Sequence, residues 1–145
     1  MNVFFDAIER MYQLFATCPA PNKREHAEGW TVKQILGHLI DSASNNHQRL
    51  LRYQPGGNFA FPGYDQNACV SRAHYDSMDF QGLLALWYQH NRLLLHIIKN
   101  IPQDDLTAST LQIGDRPAVR LQEMIQDYFA HLEKHAQQVR RILAA

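Results

Sequence analysis

Trp30-Thr31-Val32-Lys33-Gln34-Ile35-Leu36-Gly37-His38-Leu39-Ile40-Asp41-Ser42 is the stretch from which the fold can be read. Thr31 and Gln34 are spaced as a capping box: the threonine hydroxyl accepts from the Gln34 N–H, and the glutamine amide reaches back to the N–H of Thr31. Trp30 and Ile35 stand at the two positions of a hydrophobic staple across that box. Behind this start signal the spacing predicts a helix from Thr31 to about Tyr53, roughly six turns long. Gln54-Pro55-Gly56-Gly57-Asn58 then ends it, since proline lacks an N–H and the glycines do not hold a helix.

An amphipathic helix must bury its stripe against partners, and three more are legible. From Asn2 to Ala16 the residues Val3, Phe4, Ala7, Ile8, Met11, Leu14 and Phe15 recur at three- and four-residue steps, until Cys18-Pro19-Ala20-Pro21-Asn22 stops them. Asp79 or Ser77 caps a third helix, whose face of Leu83, Trp87, His90, Asn91, Leu94, Ile97 and Ile98 runs on to Ile101-Pro102. A fourth begins near Leu121 and runs to Leu143, with Leu121, Met124, Ile125, Tyr128, Leu132, Val139 and Ile142 on one side. Gln54 to Ser77 shows no sustained period and is expected to be a long, ordered excursion, the kind of loop that more often carries function than not. Leu106 to Val119 is rich in turn residues and suits a short hairpin or an irregular crossover. The expected fold is all-α: a four-helix bundle with long interhelical connections, forming one domain over residues 1–145.

Composition narrows the function classes. Fourteen Lys plus Arg balance fourteen Asp plus Glu, and 46% of the residues are apolar, which argues against disorder and against a surface built for nucleic acid. No stretch approaches 18 uncharged apolar residues, and Asp6, Glu9 and Arg10 interrupt the N-terminus, so neither a membrane span nor a secretory signal is expected. The expectation is a soluble cytoplasmic protein. Cys18 and Cys69 lack a CxxC spacing and are too few for a disulfide framework.

Histidine is abundant, with eight in the chain. His131 and His135 are spaced i, i+4 and so stack on one face of the fourth helix, on the side of Met124, Tyr128, Val139 and Ile142. Two unpaired imidazoles on an inward face would be costly. A divalent metal is one resolution, and hydrogen-bonded core histidines are the other. Two ligands do not complete a site; His38, at the edge of the second helix's apolar face, is the candidate third, with His90 in reserve. Ser42, Asn45 and Arg49 continue the His38 edge as a polar stripe that could line a cleft. His47, opposite His38, is expected to be buried and structural, while His26, His74 and His96 are expected to be solvated. Asp41 (i+3 from His38) and Asp127 (i−4 from His131) lie one turn from proposed ligands and are candidates for supporting a ligand or accepting a proton.

Sharper motifs are excluded. His131-Leu132-Glu133-Lys134-His135 is not HExxH, because its glutamate comes one position late. Glu-x-x-His is absent, which removes the di-iron carboxylate bundle. There is no GxSxG, P-loop or GxGxxG. As a nucleophile Cys69 would need a nearby base, which sequence does not place.

The stretch Trp30 to Ser42, together with Asp127-Tyr128-Phe129-Ala130-His131-Leu132-Glu133-Lys134-His135, resembles the DinB-like (DinB/YfiT) superfamily. Tyr64-Asp65-Gln66 and Ile101-Pro102-Gln103-Asp104-Asp105-Leu106 also look familial. The resemblance implies a four-helix bundle in which His38, His131 and His135 hold a divalent metal. It further implies a metal-dependent hydrolase or a transferase that uses a low-molecular-weight thiol, and a homodimer. Cys69, where relatives often carry an aromatic residue, and Arg120, where a Thr or Ser cap is usual, depart from the pattern. Three imidazoles would leave coordination positions open to water or substrate. Zinc and nickel suit such a set best, with iron and manganese also compatible. The expected partners are a small-molecule substrate, with or without a thiol cofactor, and a second copy of the chain, with no nucleic acid and no membrane. Asp41, Asp127, Asn91 and Arg49 are the candidates for support. The competing expectation is a non-catalytic helical module that dimerises and whose histidines are structural.

Overall fold

A computed structural model describes residues 2–145. Four long helices carry the fold: α1 (Asn2–Ala16), α2 (Val32–Arg52), α4 (Phe80–Lys99) and α6 (Leu121–Ala144). They form a closed ring of neighbours in which α2 packs on α4, α4 on α1, α1 on α6, and α6 on α2. The four stripes meet in one core. Ile8 and Phe15 from α1, Leu36 and Leu39 from α2, Leu83 and Trp87 from α4, and Leu132 and Val139 from α6 are all buried there.

The capping box forms as its spacing requires. The Gln34 N–H donates to Thr31 Oγ1 at 3.1 Å, and the Thr31 N–H donates to Gln34 Oε1 at 2.9 Å. Replacing Thr31 by alanine should lower stability by about 1 kcal/mol, because a buried helix start loses its acceptor. Denaturant unfolding with an unchanged slope is the measurement that checks it. At the start of α6 only half of such a box exists: the Glu123 carboxylate accepts from the Arg120 N–H at 3.1 Å, whereas a guanidinium has nothing with which to accept.

The connections hold more regular structure than their composition suggests. Within the excursion from Gln54 to Ser77 lie strand β1 (Asn58–Phe61), helix α3 (Gln66–Ala73) and a short 3₁₀ turn (Tyr75–Ser77). A second short helix, α5 (Gln103–Ala108), follows α4, which ends at Lys99, two residues before Ile101. The turn-rich segment is a hairpin, β2 (Thr110–Ile113) with β3 (Val119–Arg120), and β1 adds to its other edge in parallel, Asn58 opposite Thr110. Such elements escape a periodicity reading because they are only two to eight residues long; what holds them is the long-range pairing itself. Of the two proposed caps for α4, Asp79 is the one that accepts, from the Gly82 N–H at 2.8 Å.

At one position the packing permits no side chain. A Cβ on Gly37 would lie 2.2 Å from Cδ2 of Tyr75, so the tyrosine ring rests directly on the backbone of α2. The Tyr75 hydroxyl donates to Asp41 one turn further along. This seats the 3₁₀ turn, and with it the end of α3, on the helix that carries His38. No helix of the described residues is long and apolar enough to cross a membrane.

Candidate metal centre

His38 projects from α2, and His131 and His135 project from α6 where the two helices pack together. The burial of Ile35, Leu36 and Leu39 on α2 and of Tyr128, Leu132 and Val139 on α6 fixes the rotation of each helix and turns these imidazoles toward a common point. The Nε2 atoms of His38 and His131 are 3.4 Å apart, and those of His131 and His135 are 3.0 Å apart. His38 is 1% exposed and His135 8%.

These separations have a direct chemical meaning. One nitrogen carries either a proton or a lone pair: without an ion, neighbours at these distances pair as N–H···N, whereas an ion between them lets all three offer lone pairs. Nitrogens about 2.0 to 2.1 Å from one ion, spread at a tetrahedral angle, stand roughly 3.3 Å from each other. The donor set therefore fits a divalent ion of the kind that takes imidazole. Gln138 supports this arrangement, since its Oε1 lies 2.7 Å from His135 Nδ1. A proton on that Nδ1, donated to the amide oxygen, leaves Nε2 with its lone pair free. Trp30 covers the ring of His38 at 4.8 Å between centroids, and His38 Nδ1 is buried without a hydrogen-bond partner among the described residues.

The rings are also in the protonation state that ligation requires. Burial, then the neighbouring His135 and His131 and the charge of Lys134, pushes His38 down to about 3. Burial, then His135 and Lys134, takes His131 to about 4. His135 is lowered as well, chiefly by burial and further by Lys134, while its bond to Gln138 works the other way. All three are neutral at pH 7 before any ion arrives.

His38 and His131 form part of the wall of a cavity of about 900 Å³, ample for a small molecule. Its floor runs along α2 through Ser42, Asn46 and Arg49, and its far side is built from the β2–β3 hairpin and the loop around Gly63 and Tyr64. Asn45, expected on this edge, is not in the wall and instead donates to the Asp41 carbonyl at 2.9 Å. Gly114, with φ 58°, makes the turn of that hairpin and brings its backbone against Gly63. The long excursion and the turn-rich segment thus meet over the bundle and roof the histidines.

The other candidate residues are dispersed. Asp127 lies exposed at the edge of the cavity and makes no hydrogen bond to His131. Asp41 points away from the cavity toward Tyr75; burial raises its carboxyl pKa, the bond from Tyr75 opposes that, and its Oδ2 is left unpartnered among the described residues. Asn91 is fully buried and structural, accepting from the Tyr128 hydroxyl at 2.6 Å and donating to the Trp87 carbonyl at 2.8 Å. His90 stands apart from the three histidines, ring to ring with His47 at 5.4 Å. His47 was expected to be buried; it is half-buried, because its side of α2 borders α4 near the surface rather than facing the core. His26, His74 and His96 are exposed, as is expected of solvated residues.

Periodicity missed Gln138, Tyr64, Tyr75 and Arg116. Gln138 is three residues from His135, so helical spacing could have found it. Tyr64 and Arg116 reach the cavity, and Tyr75 the back of α2, through long-range packing, which leaves no local mark.

The model of the DinB superfamily matches residues 6–139. Among solved structures, YfiT from Bacillus subtilis, described as a probable metal-dependent hydrolase with an unusual four-helix bundle topology, superposes with a TM-score of 0.82. It is 18% identical, and the match covers 97% of this chain and 84% of that one. A comparison with curated proteins finds no match.

Proposed function

Because the chain belongs to the DinB superfamily over residues 6–139, we propose that it is a divalent-metal-dependent enzyme acting on a small molecule, as a hydrolase or as a transferase of a low-molecular-weight thiol. His38, His131 and His135 are its metal ligands in this reading. The observation that carries it is the convergence of three neutral, largely buried imidazoles at the wall of a cavity large enough for a substrate. YfiT, described as a probable metal-dependent hydrolase, lends support from a chain of the same fold. A bound divalent ion supplies Lewis acidity, which serves the activation of water or of a thiol equally well. The chain's own residues exclude solvent at Trp30, hold the His135 tautomer through Gln138 and shape the cavity above.

Zinc or nickel suits the three-imidazole set best, with iron and manganese as alternatives. Elemental analysis of protein purified without a histidine tag tests the reading: about one equivalent of a transition metal is expected. Less than a tenth of an equivalent, together with a melting temperature unmoved by added Zn²⁺ or Ni²⁺, would overturn it. Replacing Gln138 by alanine should weaken metal binding roughly tenfold to hundredfold by freeing the His135 ring, as read by competition with a chromophoric chelator.

A second reading, a non-catalytic module that pairs with another copy, has in its favour Phe5 on α1 and Leu86 and Leu93 on α4, which are large, apolar and exposed. It predicts a dimer and no metal, so the same elemental analysis separates the two.

A further inference from the structure

Arg49 is the anomaly of the cavity. It is 8% exposed, yet among the described residues its guanidinium forms no salt bridge and no side-chain hydrogen bond. The ion pairs that do form join Arg140 to Glu133 and Arg141 to Glu25 at the surface. The Arg49 nitrogens are not among the fully enclosed unpartnered atoms, so the head group opens onto the cavity. A partly buried charge without a protein partner is still costly, and an arginine keeps its proton under all ordinary conditions. Arg49 accordingly carries five N–H donors beside a cavity that it helps to line.

We infer that Arg49 is the anchor for an oxyanion of the substrate, a carboxylate or a phosphate, bound in the cavity at the end remote from the three histidines. Arg116, exposed on the hairpin opposite, lines the same cavity and adds a second positive charge. The two guanidiniums are close enough for Arg116 to disfavour the charge on Arg49. Burial disfavours it most, and Tyr64 acts in the opposite sense. An anion received between them relieves both penalties, and a guanidinium presents its fork to a carboxylate or phosphate in two-point fashion. Asp115 and Asp127 also border the cavity, but both are exposed and neither pairs with Arg49. Arg49 is the one charged side chain of the buried wall among the described residues.

Helix geometry sets the length of the molecule. Arg49 follows His38 by eleven residues on α2, about 16 Å along the axis, and its side chain leans back toward the N-terminus. The gap between the two ends of the site is therefore on the order of 10 Å. The substrate class is an elongated small molecule, acidic at one end and reactive at the other. This assignment rests on the metal reading for its reactive end only; the anion end is tested without metal.

The test follows the Arg49 guanidinium Nε–Hε proton resonance, assigned by its loss in Arg49→Met, while chelator-treated protein is titrated with inorganic phosphate and, separately, with acetate. The expected result is a saturable displacement of that resonance by at least one anion, and whichever saturates at lower concentration identifies the source as phosphate or carboxylate. By calorimetry Arg49→Met should weaken that anion at least tenfold. Arg49→Lys should retain part of the affinity, which keeps the comparison available if the methionine variant does not fold. A resonance that neither anion moves, or an affinity unchanged in both variants, overturns the proposal. Because no metal is present, either failure is distinct from an elemental analysis that finds no metal.

Discussion

The His131→Ala variant should be purified with no stoichiometric metal, and added Zn²⁺ or Ni²⁺ should no longer raise its melting temperature. His131 is the middle ring, within 3.4 Å of His38 and 3.0 Å of His135 through the same Nε2. Its removal leaves two imidazoles, too few to complete a site. An affinity loss of more than about a hundredfold is the expectation, larger than the effect of removing a supporting group such as Gln138. The wild-type protein should instead gain stability from the ion by mass action, about 2.7 kcal/mol when free metal exceeds its dissociation constant a hundredfold. The His131 ring is less buried than those of His38 and His135, so its loss from the metal-free chain should cost little. Full metal content in His131→Ala would remove that residue from the site.

Proton competition gives the same site a pH signature. Protons displace a metal from histidine only where the free rings titrate. With His38 pushed down to about 3, His131 to about 4 and His135 also lowered, metal content should fall less between pH 7.5 and pH 5.5 than in a solvated histidine cluster, which begins to lose its ion near 6.5. In the metal-free chain the sign for stability follows from the same depression. The unfolded state takes up protons at a pH where the folded state does not, so the stabilising contribution is complete above 6.5 and declines as the pH falls toward the folded values. Dialysis against buffered free zinc at the two pH values checks the first statement, and denaturant unfolding of chelator-treated protein checks the second.

Gly37→Ala carries the largest expected effect on the fold. In an ordinary helix interior this exchange gains about 1 kcal/mol, because alanine holds helical backbone better than glycine. Here the new methyl would stand 2.2 Å from one ring carbon of Tyr75 and 2.4 Å from another, far inside contact distance. Overpacking of this kind costs typically about 1 to 3 kcal/mol. Set against the gain, the net loss is up to about 2 kcal/mol, which for a chain of this length corresponds to a melting temperature lower by up to roughly 8 °C. The tyrosine cannot retreat freely, since its hydroxyl is held by Asp41 and its ring is buried. A double-mutant cycle isolates the clash: with Tyr75→Ala already in place, Gly37→Ala should turn neutral or stabilising. A single Gly37→Ala variant as stable as the parent would show that the turn at Tyr75 is not seated as described.

Gly37 and His38 are adjacent in sequence and serve different neighbours, and the difference marks how far sequence reasoning reaches. The capping box, the four stripes and the i, i+4 pair of His131 and His135 are local patterns: each is a repeat of a few residues imposed by helical geometry on a chain that must bury one side. They were legible, and so was the candidacy of His38 at the edge of its stripe. The short strands, α3 and α5 were not. Their few residues carry no period, and β1 exists only because β2, 52 residues on, pairs with it, Asn58 to Thr110.

The candidate site divides along the same line. Which histidines could act together was already constrained by spacing, since one turn of helix fixes the separation of two rings. Arg49 was visible only as one member of a polar stripe, and nothing in the chain announced that it lacks a partner. That follows from the hairpin and the Gly63 loop, which with α2 enclose a cavity that the guanidinium lines without meeting a carboxylate. The amino-acid order by itself determined the helices, their buried faces and the stacked imidazoles, because those depend on neighbours within a turn. The tertiary structure alone decided the meeting of α2 with α6, the cavity and its uncompensated charge, because these depend on residues brought together from opposite ends of the chain.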